Sequence, residues 1–231
     1  MGIKKELSFW QDHVTIDKFA SWCGNPESPF KVETRQLIRD REYKTVLDVG
    51  AGLFSEYYGF KNDGDDIEYT ATEMTPKYVE FGIDQGINVV EASIYKMPFE
   101  DGSYECIICH DVLNHLRDTK SAIMELIRVA SKEIIISFFK PSQNTYLENL
   151  SIYNVQGFPY KTEPHATIES RIIVDNETVC EYVYINQQFL ENIFETSEKV
   201  CQYKYFIAKD KKVMLQISLD DNITYDTKIE K

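Results

Sequence analysis

Short apolar runs alternate with amphipathic segments along most of the chain, and this alternation predicts an α/β fold with a parallel sheet. Each run is four to seven residues long, rich in β-branched or apolar side chains, and bounded by polar or glycine-containing turns. Runs of this kind are typical of strands that are buried on both faces. The predicted strands are Thr45–Val49, Ile67–Thr72, Ile87–Glu91, Tyr104–His110 and Glu133–Phe139.

Apolar residues at intervals of three and four positions predict helices between these strands. Capping residues mark several starts: Thr75 precedes Pro76, Asp118 or Thr119 opens a later helix, and Asn186 opens the last. The helix that follows Thr75 is expected to end near Gly86. Two further predicted helices lie earlier in the chain, at Phe30–Arg41 and Ser55–Phe60.

The alternation of strands and helices is interrupted by residues 140–185, a segment that contains three of the seven prolines. We interpret it as an insertion that covers an active site, because long excursions of this kind are often functional. Within it, Ile168–Val174 and Thr178–Ile185 predict a hairpin across Asp175-Asn176. After the insertion, Val200–Ala208 and Val213–Leu219 predict a terminal antiparallel pair. The last residues, Asp220–Lys231, are expected to be polar and frayed.

Length and charge limit the possible classes of protein. A chain of 231 residues fits one domain, which we place at 1–231, with residues 1–30 as an N-terminal lid segment. The net charge of −13 disfavours nucleic-acid binding, which depends on Lys and Arg at phosphates. Met1–Leu7 is charged and unlike a signal peptide, and no apolar run approaches the ~20 residues that span a bilayer. We therefore expect a cytoplasmic protein with no membrane partner, and its oligomeric state stays open.

Five scattered cysteines suit a reducing compartment rather than a disulfide framework. Cys106 and Cys109 form a C-x-x-C pattern, but it falls inside a predicted strand. Side chains three positions apart in a strand point to opposite faces. The two thiols are therefore expected to be buried in the core, and no metal site is expected.

The segment Thr45–Gly52 runs from a predicted buried strand into a loop with glycine at alternate positions. Such a loop lets the backbone approach a ligand closely, because Gly50 and Gly52 carry no side chain. A carboxylate at Asp48 would repel a pyrophosphate and attract an ammonium or sulfonium group. The pattern therefore favours a positively charged ligand over a dinucleotide.

Val46–Gly52 resembles the first motif of class I S-adenosylmethionine (SAM) dependent methyltransferases, with Phe54 where that family has a third glycine. Three further segments resemble family motifs in the family's order. They are Glu73-Met74 after the second strand, Glu91–Glu105 with its Met-Pro-Phe, and Val112–Leu116 after the fourth strand.

The resemblance covers about Thr45–Phe139. The enzymes that it indicates are small-molecule methyltransferases of type 11. It implies a Rossmann-like α/β sandwich with a mainly parallel seven-stranded sheet, a terminal antiparallel hairpin and a lid insertion.

The resemblance also implies roles for individual residues toward SAM. Glu73 would accept hydrogen bonds from the ribose hydroxyls, and Met74 would lie on the adenine or fill the core. Ser93 stands where the family has an Asp for the adenine amino group, and the Ile94 amide would reach a ring nitrogen. The implied cofactor-binding residues are Asp48, Gly50, Ala51, Gly52, Glu73, Met74, Ser93, Ile94 and His110.

His110 ends the fourth predicted strand and would face both the methyl group and the acceptor. An imidazole can remove a proton from an acceptor near neutral pH, so His110 and His115 are the candidate bases. Each has a structural alternative: His110 could hydrogen-bond the loop, and His115 could pack against the following helix.

Aromatic and polar residues in the N-terminal segment and the insertion are candidates for a lid, with ordinary packing as the alternative for Phe19 and Trp22. The candidates that would contact the acceptor are Trp10, His13, Lys140, Tyr160 and His165; the remaining aromatic candidates are Phe9, Phe19, Trp22, Tyr153 and Phe158.

The sequence thus predicts methyl transfer from SAM to a small polar metabolite, most readily at oxygen. A nicotinamide-dependent oxidoreductase is the alternative enzyme, although Ser55 stands where its third glycine belongs and Asp48 is unfavourable. A non-catalytic Rossmann-like binding protein is the other alternative, motivated by Phe54 and Ser93.

Overall fold

The computed structural model describes residues 9–116, 118–138, 160–163, 166–174, 177–185 and 187–225. Lys140, Tyr153, Phe158 and His165 lie outside the described residues, as do the Asp175-Asn176 turn and Asn186. The described strands are β1 (Thr45–Val49), β2 (Glu68–Glu73), β3 (Val89–Glu91), β4 (Tyr104–His110), β5 (Ala130–Phe138), β6 (Tyr160–Glu163), β7 (Ala166–Val174), β8 (Glu177–Ile185), β9 (Gln202–Ile207) and β10 (Val213–Ser218).

From Phe30 onward the helices lie at the places that the apolar spacing predicts, and a further helix, Ile16–Cys23, precedes them. A π-helical turn, Phe9–His13, precedes the first α-helix, and a 3-10 turn, Leu113–His115, follows β4. The described α-helices are α1 (Ile16–Cys23), α2 (Pro29–Asp40), α3 (Ser55–Asp63), α4 (Pro76–Asp84), α5 (Thr119–Val129) and α6 (Gln187–Thr196).

The central sheet has seven strands in the order β3-β2-β1-β4-β5-β10-β9. β1 pairs in parallel with both β2 and β4, and β10 pairs antiparallel with β5 and β9. The predicted Rossmann-like sheet with its terminal antiparallel pair is therefore confirmed. Strand order reverses between β1 and β4, and in open α/β sheets the ligand crevice opens at the carboxyl ends of the strands at such a point.

Two apolar layers cover the faces of this sheet. One contains Ile107 and Cys109 with residues of α5 and α6, and the other contains Cys106 and Ile108 with residues of α2 and α3. Cys106 and Cys109 are both buried, and they lie in different layers. The prediction of two core thiols on opposite faces of one strand is thereby confirmed.

The inserted segment contributes a second, antiparallel sheet in the order β6-β7-β8. Tyr160 begins β6, and the β7–β8 pair matches the hairpin predicted from Ile168 to Ile185. The backbone of β8 lies beside the 3-10 turn Leu113–His115, which follows β4. The small sheet therefore stands at the crevice end of the central sheet. Among the described residues, no helix combines the length and apolar character needed to cross a bilayer.

Local details differ from the sequence expectations at two places. Thr75 occupies the N-cap of α4, but its side chain makes no capping hydrogen bond. Asp220–Tyr225 is not a frayed tail, because Ile223 is buried and the Tyr225 hydroxyl donates to Glu133 at 2.7 Å. Glu133 is itself buried in the core and needs such donors, which a polar composition alone does not reveal.

Phe54 occupies the family's glycine position with the backbone that a glycine would adopt there, at φ 60°. Its side chain is fully buried, stacks on Phe81 with ring centroids 6.5 Å apart, and lies against Gly82. A Cβ added at Gly82 would lie 2.5 Å from the Phe54 ring. The left-handed backbone is thus retained at a position where the ring fills the core between α3 and α4.

Replacing Phe54 by glycine is expected to destabilise the protein, because lost packing outweighs relieved backbone strain. Loss of a buried Phe costs about 3–5 kcal/mol, whereas a glycine adopts the left-handed backbone without the strain of about 1–2 kcal/mol that Phe54 bears. We expect the free energy of unfolding to fall by about 1–4 kcal/mol in urea denaturation. Glu42→Gly is the matched control, since Glu42 has φ 56° and an exposed side chain. Its unfolding free energy should not fall, because relieved strain of about 1–2 kcal/mol is only partly offset by the greater freedom of glycine in the unfolded chain. A Phe54→Gly protein as stable as wild type would contradict this account.

Candidate active site

A cavity of about 260 Å³ opens at the carboxyl ends of β1, β2 and β4, at the reversal of strand order. Nearly all of the residues implied for SAM line it together. The lining includes Asp48, Gly50, Ala51, Gly52, Glu73, Met74, Ile94 and His110, with the candidate base His115 and the lid candidate Trp10. Ser93 is the exception: its hydroxyl accepts from the Tyr95 amide of its own turn at 3.4 Å, while Ala92 and Ile94 line the cavity.

The glycine loop after β1 is hydrogen-bonded to the neighbouring strand β2 and packs against the Phe19 ring. The amides of Gly50 and Ala51 donate to the Thr72 carbonyl at 2.9 and 3.1 Å. Gly50 and Gly52 both have positive φ, and a Cβ at Gly52 would lie 2.5 Å from the Phe19 ring. Glycine is therefore required here both for the backbone conformation and for close approach of another group.

Glu73 organises the backbone around the same loop. One of its carboxylate oxygens accepts from the Gly52 amide at 3.0 Å, and the other accepts from the amides of Met74 and Thr75 at 2.8 Å each. Burial raises the pKa of this carboxyl, and the backbone donors oppose that shift. Each carboxylate oxygen has two lone pairs, so Glu73 can still accept from a bound hydroxyl.

Asp48 is the last residue but one of β1, and it is buried next to the glycine loop. The Tyr69 hydroxyl donates to its carboxyl at 2.7 Å. Burial raises the pKa of Asp48 to about 7, and the hydrogen bond from Tyr69 opposes that shift. The negative charge predicted at this position is therefore partial at neutral pH in the ligand-free protein.

His110 ends β4 and is nine-tenths buried. Its Nε2 lies 3.3 Å from Glu56 Oε1 on α3, and the Phe30 ring meets the imidazole edge-on at 5.1 Å. Among the described residues, neither ring nitrogen has a hydrogen-bond partner of good geometry. A buried polar atom without a partner requires an explanation, and a bound ligand is one.

Two lysines of the cavity were not found by sequence reasoning. Lys31 is buried on α2 and donates to the Cys23 carbonyl at 2.6 Å and to Ser55 Oγ at 2.7 Å; burial lowers its pKa. Lys212 pairs with Asp111 at 2.5 Å and lies 4.7 Å from the centre of the Phe30 ring. Lys212 comes from the β9–β10 connection, and nothing in its local sequence separates it from a solvated turn lysine.

Aromatic rings of the N-terminal segment line this cavity. Trp10 packs edge-on against Phe19 at 5.5 Å and against His115 at 5.4 Å, and Phe19 packs against Tyr78 at 5.0 Å. Phe19 and Trp22 also line the cavity. Phe9 is buried beside Trp10, and His13 closes the same π-helical turn. The structure thus brings three of the N-terminal candidates, Trp10, Phe19 and Trp22, to the cavity.

Comparison with known proteins gives a match to a methyltransferase domain over residues 47–138. Solved structures resemble the whole fold at low sequence identity. A SAM-dependent methyltransferase from Aquifex aeolicus is 17% identical, with 89% of this chain and 97% of that chain covered and a TM-score of 0.53.

Two further solved structures hold a ligand. Magnesium protoporphyrin IX methyltransferase from Synechocystis, with bound SAH, is 15% identical, covers 94% of each chain and has a TM-score of 0.55. An amino pentose methyltransferase from Micromonospora echinaspora, with bound SAM, is 10% identical, with 87% and 96% covered and a TM-score of 0.59.

Asp48→Asn is expected to stabilise the ligand-free protein increasingly as pH rises. A folded-state pKa of about 7 against an unfolded value of 3.8 means that the folded protein binds more protons between these values. Stability contributed by this group is therefore lost as pH rises through that window, and asparagine removes the loss.

Between about pH 5 and pH 8 the stability advantage of the variant should grow by about 2 kcal/mol. Urea denaturation of both proteins at each pH measures the difference. Asp66→Asn, at an exposed position, is the control and should show no such growth. An advantage for Asp48→Asn that stays constant with pH would contradict the assigned pKa.

Proposed function

We propose that this chain, a class I SAM-dependent methyltransferase by its fold and by the domain matched over residues 47–138, methylates a hydroxyl of a small polar molecule. The observation that carries the proposal is the single cavity that joins the glycine loop and Glu73 to His110. One end has the features of a nucleoside site, and the other presents a buried imidazole.

The residues at the first end fit SAM. Gly50 and Gly52 give the loop the positive φ angles of its tight turn, and Glu73 supplies a buried acceptor beside the loop. Asp48 supplies a carboxyl whose ionised form would attract a sulfonium. When bound, SAM supplies a methyl group that is already activated by the positive sulfur. The residues of this chain then orient the acceptor, exclude water and accept its proton.

Several observations favour a small acceptor over a macromolecule. The cavity is covered by Trp10 and Phe19, whose rings pack on its rim. The net charge of −13 is unfavourable for a nucleic-acid substrate. The similar enzymes from Synechocystis and Micromonospora are described as methyltransferases for a porphyrin and an amino pentose, both small molecules.

Oxygen is the favoured acceptor atom because His110 can take a proton that a hydroxyl must lose. A carboxylate or phosphate acceptor would need no base, and a buried imidazole would then have no use. His115 packs edge-on against the Trp10 ring, which suits a role in packing rather than in proton transfer. We therefore assign the base to His110.

The proposal is tested with SAM carrying a labelled methyl group and extracts fractionated by size. We expect label in the small-molecule fraction, in a bond that survives mild alkali, as a methyl ether does and a methyl ester does not. Label confined to protein or nucleic acid would overturn the small-molecule acceptor. Release of the labelled methyl group as methanol in alkali would overturn methylation at a hydroxyl.

His110→Ala is expected to slow methyl transfer to the acceptor found in this way by about 10²–10⁴-fold, the usual contribution of a general base. Binding of the demethylated cofactor, measured by calorimetry, should weaken much less than transfer slows. His115→Ala is the matched comparison and should reduce transfer much less. Equal losses in the two variants would remove the distinction between base and packing residue.

Glu73→Ala is expected to weaken binding of the demethylated cofactor by about 1–3 kcal/mol, through lost hydrogen bonds to a charged group. Glu91→Ala is the control, because Glu91 ends the adjacent strand β3 beside Glu73 but is exposed. Its cofactor affinity should match that of wild type in the same calorimetric titration. Unchanged affinity in Glu73→Ala would contradict the nucleoside assignment.

A further inference from the structure

A chain of buried charged side chains leads from the surface of α2 and α3 to His110. Arg35 on α2 is fully buried, and its Nη1 donates to the Pro26 carbonyl at 2.8 Å and lies 3.3 Å from Glu56 Oε2. Arg35 Nε donates to Asp63 at 2.9 Å on its outer side. Glu56 is buried too, and its other oxygen, Oε1, is the atom 3.3 Å from His110 Nε2.

The backbone of α3 is adapted to hold this chain in place. Gly59 lies one turn after Glu56, in the interior of the helix, where glycine costs about 0.5–1 kcal/mol relative to alanine. A Cβ at Gly59 would overlap the guanidinium of Arg35. The glycine therefore makes room for the arginine, which in turn holds one oxygen of Glu56.

Full burial of Arg35 and Glu56 is unfavourable unless both are well paired, so their place beside the cavity needs a reason. Glu56 Oε1 and both nitrogens of His110 lack partners of good geometry among the described residues. Hydrogen bonds of catalytic groups are often long or misaligned without substrate and tighten in the complex. The distance of 3.3 Å between Glu56 Oε1 and His110 Nε2 is long in this way.

We propose that Glu56, held by Arg35, is a positioning residue that keeps the proton of neutral His110 on Nε2 and so makes Nδ1 the proton-accepting atom. A carboxylate accepts hydrogen bonds but donates none, so it selects the tautomer whose N–H faces it. When Nδ1 accepts a proton, the carboxylate also stabilises the imidazolium that forms, as in a Ser-His-Asp triad. Only the use of Nδ1 as the base rests on the proposed function.

The tautomer of His110 can be measured without knowing the acceptor. Nitrogen-15 NMR of the full chain with labelled histidine distinguishes a protonated from an unprotonated ring nitrogen, and His110→Ala identifies the His110 signals. We expect wild type, with the demethylated cofactor bound, to show neutral His110 with the proton on Nε2. A proton on Nδ1 would overturn the proposal, and the wild-type spectrum decides this even if Glu56→Gln does not fold.

Glu56→Gln keeps the shape of the side chain but can also donate, so it should replace the single tautomer by a mixture. Glu27→Gln is the matched control: Glu27 Oε1 lies 3.7 Å from Arg35 on the exposed side, and its loss should leave the tautomer unchanged. A wild-type tautomer in Glu56→Gln would overturn the role of Glu56. Calorimetry with the demethylated cofactor tests the proposed function separately, because its binding does not depend on the His110 tautomer.

Discussion

Burial of ionisable groups at one end of the sheet is the constraint on which the rest of the structure depends. Asp48, Glu56, Glu73, Lys31 and Arg35 are all buried there. An unpaired buried charge costs far more than the few kcal/mol that most single contacts contribute. The surroundings must therefore supply partners. Backbone amides donate to Glu73, and a Tyr hydroxyl donates to Asp48. Arg35 and Glu56 pair with each other.

This constraint explains why α2 packs on α3 as it does. The buried face of α2 contains Lys31, Thr34, Arg35 and Ile38, so most of it is polar. Such a face can be buried only against matching acceptors, which Ser55, Glu56 and Asp63 of α3 provide. The same pairing fixes the start of α3 next to the glycine loop, where the cavity lies. Stability and the shape of the site thus depend on the same contacts.

The parts of the fold set by local pattern could be predicted from the sequence. The bounds of β1 and β4 agree with their apolar runs, and Asp48, Glu73 and His110 line the cavity because they lie at or next to the ends of strands. The parts set by contacts distant in sequence could not. One face of α2 is mostly polar, with Lys31, Thr34, Arg35 and Ile38 at helical spacing. A solvent-exposed helix face has the same pattern, so the sequence does not show that this face is buried. Lys212 reaches the cavity only because β10 pairs with β5.

Asp48 still gives the crevice a negative charge, but only for part of the time in the ligand-free protein. Asp48 was expected to make the crevice negative, yet with a pKa of about 7 it holds a proton for much of the time near neutral pH. A cation bound beside it would favour the ionised form. Binding of a sulfonium and release of that proton are therefore coupled, and each promotes the other. The attraction arises largely as the ligand binds, because burial makes the charge unfavourable until a positive partner is present.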